Sequence, residues 1–350
     1  MYFHHVPVAT TLLCWGATIQ PATLHALNER VAALAKQTRV TSGRELRLDS
    51  TGVQTAIHHP TDSGLLVDGV RVLTRLIRQA KPLVAASLAG VRDAFRSRLR
   101  SVRRTLQQMH RLRRRSRSST QKAEQQRTLY GVLLRATRPT VKQAAQVRTA
   151  LASLFPADQQ THHARRLHAQ IDHFLPLIER VIAQAQRRVL QDHPVAASEK
   201  VLSLFEPHTR LVPRHKGGAA VEFGRQVMLA EGEGGVVSRF HVLAAEESDR
   251  HQAIPSVLQH RRLVGRAPWL LTGDRGVHTK GVEEAQALGV RHVAIPRSGP
   301  SSPAQRARER DRAWRRRYRW RAGIEGRISS LRRDFGLERC PYHGEVGLER

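Results

Sequence analysis

Residues 44–57 read RELRLDSTGVQTAI, directly after Gly43. Leu46 and Leu48 alternate with Arg47 and Asp49, the period-two pattern of a strand with one apolar and one polar face. A carboxylate, Asp49, stands at the far end of the alternation. Upstream, Leu24, Leu27, Val31 and Leu34 recur at three- and four-residue steps between Pro21 and Lys36, which predicts an amphipathic helix leading into the strand.

Downstream of Pro60 the texture turns helical as far as Leu190. LLVDGVRVLTRLIRQA (65–80) opens this region, with Asp62 and Ser63 as N-cap candidates. A second helical run extends from Pro82 to Arg117, a third from Ser119 to Arg135, and Pro139, Pro156 and Pro194 punctuate the rest. RSRSST (115–120) reads as a break between antiparallel helices, so a helical hairpin or small bundle is expected.

Beyond Ser198, strands and helices alternate. VEFGRQVMLA (221–230) and VVSRFHVLA (236–244) flank the Gly-rich loop EGEGG (231–235), a hairpin pattern. A helix over about 249–264 follows, then the apolar strand APWLLTGD (267–274). The helix VEEAQAL (282–288) is stopped by Gly289 and precedes the strand RHVAIP (291–296). One long arginine-laden helix is expected from about Pro303 to Phe335, with Ile324, Ile328 and Leu331 as its narrow apolar stripe. No GxGxxG follows a strand, which excludes a dinucleotide-binding Rossmann unit. The sum is a mixed α/β sheet interrupted once by helices, between its first and second strands.

The 350 residues carry 59 Lys+Arg against 29 Asp+Glu, a net charge of +30. Such an excess repels itself unless a polyanion neutralises it, and nucleic acid is the first partner to consider. Arg92–Arg117 contains eleven arginines and one acid, and Arg306–Arg319 contains eight. Both runs suit phosphate contact, which releases counterions whatever the base sequence; the plainer reading is a solvated helical face. The 40% hydrophobic content supports a core and excludes an extended disordered chain. Cys14 and Cys340 form no CxxC or Cys/His ligand spacing, so neither a disulfide framework nor a structural zinc site is written. The apolar stretch Val6–Ile19 is too short to span a bilayer and follows His-His rather than Lys or Arg. A soluble cytoplasmic protein is expected.

Asp49 closes the first strand and Asp274 the fourth. Acids at the carboxyl ends of neighbouring strands converge even when distant in sequence. Glu325 lies on the final helix, with Arg321 one turn before it and Arg332 two turns after. Three such carboxylates suit Mg²⁺ or Mn²⁺, and phosphodiester chemistry uses two such ions about 3.5–4 Å apart. Each acid also has a bland reading: Asp274 as a turn former, Glu325 as an i,i+4 partner of Arg321. Asp62 reads equally as a helix cap, Asp68 accompanies it, and Glu222 is a weaker candidate near the first strand. Trp314 and Trp320 read as packing residues. The adjacent pairs His58-His59 and His162-His163 lack ligand spacing.

The runs LRLDSTGVQTAIHHPTDSGLLVDGVRVLTRL, LFEPHTRLV, VEFGRQVMLAEGEGGVVSRFHVL, LLTGDRGVHTKGVEEAQALGVRHVAIPRSG and RWRAGIEGRISSLRRDFGLERCPYHGEVGLER closely resemble bacterial insertion-sequence transposases of the ISNCY group, which are DDE enzymes. The resemblance runs in order from about Thr23 to the C-terminus, dense around the three acids and thin across the arginine-rich helices. It implies an RNase H-like fold with Asp49, Asp274 and Glu325 as catalytic, metal-binding residues. Tyr318, Arg321, Glu325 and Arg332 reproduce, at steps of three, four and seven residues, a Tyr-Arg-Glu-Lys signature of such enzymes, with Arg in place of Lys. Tyr318, Arg321 and Arg332, together with Arg315, Arg316 and Arg317, would contact DNA.

The domain plan implied is a helical lead-in (1–43), the first part of the catalytic domain (44–62), an arginine-rich helical insertion (63–198) and the second part of the catalytic domain (199–350). Double-stranded DNA at transposon ends and target is the implied partner, engaged by a homo-oligomer at the nucleoid, with no membrane. Relatives carry a helix-turn-helix before the equivalent of Thr23 and a further helix after that of Arg350, so the chain reads as trimmed at both ends. The competing reading is a non-catalytic DNA-binding protein on the same scaffold.

Overall fold

The computed structural model describes residues 7–114, 119–154, 161–213, 221–244, 246–277 and 281–350. Along the chain the elements are α1 (Ala9–Gly16), α2 (Pro21–Gln37), β1 (Glu45–Gln54), α3 (Asp62–Val84), α4 (Leu99–Arg114), α5 (Ser119–Ala152), α6 (Thr161–Ala185), β2 (Arg210–Pro213), β3 (Val221–Gly232), β4 (Val237–Val242), α7 (Ala253–Val264), β5 (Leu270–Gly273), α8 (Gly281–Ala287), β6 (His292–Ala294), α9 (Pro303–Arg310), α10 (Arg312–Arg319), α11 (Ala322–Asp334) and α12 (Gly344–Leu348). They form two compact units, one from residues 1–56 and 210–350, the other from 57–209. Among the described residues no helix is long and apolar enough to cross a membrane.

The first unit is built on a six-stranded sheet of order β2-β3-β1-β5-β6, with β4 also on β3. β2 and β4 lie end to end along one side of β3, against residues 221–224 and 227–231. β1 runs antiparallel to β3 and parallel to β5, which is parallel to β6. This is the mixed α/β sheet of an RNase H-like fold, interrupted between its first strands by helices.

Alternation along β1 assigns the two faces. Leu46 and Leu48 are wholly buried with Met228, Val257 and Leu271. Val53 points to the opposite face, with Val227, Leu229 and Ile324 of α11. Because successive side chains alternate, Arg47, Asp49 and Thr51 share that second face with α11. The β3–β4 connection is tighter than expected: Glu231 and Gly232 belong to β3, and the turn is Glu233–Gly235. Gly234 and Gly235 have φ of 71° and 77°, which glycine adopts without steric cost.

The long helix expected over Pro303–Phe335 is three helices. Asp311 leaves helical geometry with ψ 139° and its carboxylate accepts the Trp314 N–H, starting α10 afresh. The chain turns again at Trp320–Arg321 before α11. The arginine pattern hides both breaks, since a charged run looks alike on one helix or three. The edge strand β2 was not anticipated.

The second unit packs α3, α5 and α6 around Leu66, Leu73, Leu133, Leu151, Ile171 and Ile178, with α4 against α3 and α5. Thr61, not Asp62 or Ser63, caps α3, accepting the Gly64 N–H at 3.1 Å. Asp62 is buried and holds Gln184 at 2.6 Å and Arg188 at 2.9 Å, a tie between helix ends. Pro139 does not end a helix. It lies inside α5, where burial of Leu133, Leu134, Ala144 and Val147 outweighs the one hydrogen bond it forfeits. The helix expected from Pro82 to Arg117 is helical only as α3's end and α4. The break at 115–118 and Pro156 lie outside the described residues. On α4, Val102, Thr105, Met109 and Leu112 are buried, while Arg100, Arg103, Arg104 and Arg111 face solvent.

Candidate active site

β1 is paired with β3 from Leu46 to Gln54 but with β5 only from Glu45 to Leu48. The last parallel pair is Leu48 with Gly273, and the next residues on the two strands are Asp49 and Asp274. At the other end of β1, Gln54 is bridged to the returning C-terminal segment: its N–H donates to the Glu338 carbonyl at 2.9 Å, and its carbonyl accepts from the Cys340 N–H at 2.8 Å. A cleft of about 990 Å³ opens over this stretch of β1, with Asp49, Asp249, Asp274, Arg321, Glu325 and Arg332 in its lining.

Asp49 is largely enclosed, with its side chain 13% exposed. Its Oδ1 accepts the Ser50 N–H at 3.0 Å, and the Arg321 guanidinium lies 3.6 Å from Oδ2. Burial pushes the Asp49 carboxyl up to about 6; Arg321 and the Ser50 N–H oppose the rise, and the charges of Asp274 and Glu325 add to it. Asp274 Oδ1 accepts the Val277 N–H at 3.1 Å, so the residue forms the turn that its setting suggested and lines the cleft as well. A Cβ on Gly276 would stand 3.1 Å from that oxygen, which keeps the position small. Glu325 pairs with Arg321 at 2.9 Å, as its i,i+4 spacing suggested. Arg321 thereby links two of the three acids.

Of the signature residues, Arg321, Glu325 and Arg332 reach the cleft. The Arg332 fork is engaged by Glu222 at 3.2 Å, Thr51 at 3.3 Å and Glu338 at 3.7 Å, which also accounts for Glu222. Tyr318 stacks on Trp314 with ring centroids 5.1 Å apart, in a cluster with Trp269 and Leu270. Arg317 lies over the Trp269 ring at 5.4 Å, whereas Arg315 and Arg316 are exposed on α10. Trp314 is buried and Trp320 lies under Arg47, in keeping with packing roles. Two cleft acids escaped sequence reasoning, Glu338 and, in a 3₁₀ turn after β4, Asp249. No periodicity marks either.

The donors are carboxylate oxygens, the kind that suits a hard divalent cation. Among the described residues no three acidic, His or Cys side chains are already set to hold a metal ion, and Arg321 lies against both Asp49 and Glu325. The donor chemistry nonetheless fits such an ion, because a cation would relieve the penalty that burial and like charges place on ionised Asp49. That penalty has a sign that can be measured without metal. The folded protein holds the Asp49 proton up to about pH 6, whereas the unfolded chain releases it near 3.8. Stability in EDTA therefore falls as pH rises from about 4 to 6 and stays lower above. Asp49→Asn should raise the melting temperature at pH 8 in EDTA, by up to about 3 kcal/mol of stability, and leave it little changed at pH 4. An unchanged or lower melting temperature at pH 8 would contradict this.

Residues 200–350 match the family model of the transposase DDE domain. The matched stretch, less than half the chain, carries Asp249, Asp274, Glu325 and the strands from β2 to β6; Asp49 lies outside it. No curated protein and no solved structure is found to match. The family match supports a transposase role, with DNA as the substrate it implies.

Proposed function

We propose that the cleft is the active centre of an insertion-element transposase of the ISNCY kind, which cuts DNA at element ends and joins it to a target. The observation that carries this reading is the parting of β1 and β5, which sets Asp49 and Asp274 next to each other while α11 brings Glu325 to the same cleft. Asp49, Asp274 and Glu325 would hold two Mg²⁺ or Mn²⁺ ions. Bound there, such ions supply Lewis-acid stabilisation of the charge developing on the phosphate and acidify the attacking water or 3′-hydroxyl. Arg321 favours the ionised form of Asp49. Arg332 fixes α11 against β1 and β3 through Thr51 and Glu222. Arg315 and Arg316, with the exposed arginines of α4, take up phosphates, which sets register without reading sequence. Residues 44–62 and 199–350 make the catalytic domain and 63–198 a DNA-gripping insertion; the protein works as a homo-oligomer on DNA in the cytoplasm.

The test is a plasmid carrying this gene with its flanking DNA, incubated with purified protein. Nicked circles are expected in Mg²⁺ or Mn²⁺ and none in EDTA. Absence of nicking in both overturns the reading. Binding should weaken with salt at about −0.9 log units per log unit of salt for each phosphate contacted. The pairing of Glu325 with Arg321 favours a second reading, DNA binding without cleavage. That reading gives the same salt slope and no nicks in any metal.

A further inference from the structure

Asp249 belongs to no signature, yet it is built into the cleft from both flanking strands. Its Oδ2 accepts the Ser50 hydroxyl at 2.8 Å, from the residue after Asp49, and the Gln226 side-chain amide at 2.9 Å, from β3. Gln226 also donates to Ser50 Oγ at 2.8 Å, closing a three-membered network that fixes the carboxylate plane. The 3₁₀ turn that bears it, Asp249–His251, packs against the turn Arg275–Val277 that follows Asp274. Its other oxygen, Oδ1, is buried and has no hydrogen-bond partner among the described residues.

A purely structural acid is a poor solution for this position. The donors Ser50 and Gln226 would be met equally by the amide oxygen of asparagine, which carries no charge. A buried carboxylate oxygen left without a donor loses its hydration, and here the negative charge of Asp274 adds to the cost. A bound cation removes both penalties, and orientation by hydrogen bonds from outside the ligand shell is how metal-binding carboxylates are held.

We propose that Asp249 is a fourth carboxylate ligand of the cleft, sharing a divalent cation with Asp274 through Oδ1. This rests on the reading of the cleft as a metal-dependent active centre. The assignment predicts metal affinity directly, without any need for turnover.

Mn²⁺ is titrated into the full-length protein at pH 8, and the free ion is followed by electron paramagnetic resonance. Asp249→Asn should lower Mn²⁺ affinity at least about tenfold, or remove one bound ion, while its melting temperature in EDTA equals or exceeds that of the wild type. Ser50→Ala keeps every acid and removes only the orienting hydroxyl; it should weaken Mn²⁺ binding a few-fold, and it serves if the first variant folds poorly. Wild-type Mn²⁺ binding in both variants, with binding lost in Asp274→Asn, overturns the assignment and leaves the active-centre reading standing. A wild-type protein that takes up no Mn²⁺ overturns both.

Discussion

Asp274→Asn is expected to reduce metal-dependent nicking of element-end DNA by on the order of 10³-fold or more, with folding and DNA binding retained. The substitution isolates charge from shape. Asparagine has the same volume, and its amide oxygen can still accept the Val277 N–H that Asp274 accepts at 3.1 Å, so the turn beside Gly276 should persist. What disappears is the negative charge next to Asp49 at the point where β1 and β5 part. A loss of 10³ in rate corresponds to about 4 kcal/mol of transition-state stabilisation, far more than a surface ion pair contributes. Salt-dependent binding isotherms should overlay those of the wild type, and the melting temperature in EDTA should be no lower, since a like charge beside Asp49 and Asp249 is gone. A variant that nicks at the wild-type rate would remove Asp274 from the chemistry and reduce it to a turn former.

The parts of this design that were legible in sequence are those governed by short periods. Alternation around Leu46 and Leu48 gave β1 and the polar face for Asp49, but Asp49 does not close the strand: β1 continues along β3 to Gln54, and Asp49 stands mid-strand where the pairing with β5 stops. The apolar run ending in Gly273-Asp274 gave β5 and the second acid. Parallel pairing of these strands then brings the two acids together across more than two hundred residues, at the point where the strands part. Helix breaks were less legible, because Asp311 ends one helix and caps the next by a backbone turn that the arginine-rich pattern does not show. Asp249 was hidden for a different reason. Its setting comes from Ser50, 199 residues earlier, and from Gln226 on β3, so nothing local to the 3₁₀ turn marks it. Arg332 shows the converse. It lines the cleft, but the acids that hold its fork come from β3 and the C-terminal segment, and no spacing rule foretells them.

The helix that delivers Glu325 depends on a group further from the chemistry. Glu231 is fully buried on β3, directly opposite Arg47 in the antiparallel register. Its Oε2 holds Arg47 Nε at 3.0 Å and its Oε1 holds Arg327 Nε of α11 at 3.1 Å. Arg47 in turn donates to the Trp320 carbonyl at 3.0 Å and stacks on that indole at 4.7 Å. One carboxylate thus pins the start and the middle of α11 to the sheet. Removing Glu231 leaves Arg47 enclosed and uncompensated, which costs about 3–5 kcal/mol, while Arg327, 43% exposed, can turn to water. Glu231→Ala should destabilise by that amount in denaturant unfolding, with nicking lost through displacement of Glu325 and not through any change in the acids themselves. Glu231→Gln, which keeps volume and one acceptor, should fall in between. Coupling distinguishes the network from a simple cavity: with Arg47→Ala already in place, adding Glu231→Ala should cost clearly less than it does in the wild type. Additive losses, or a Glu231→Ala protein within about 1 kcal/mol of the wild type, would show that α11 is held by Ile324 and its apolar neighbours instead.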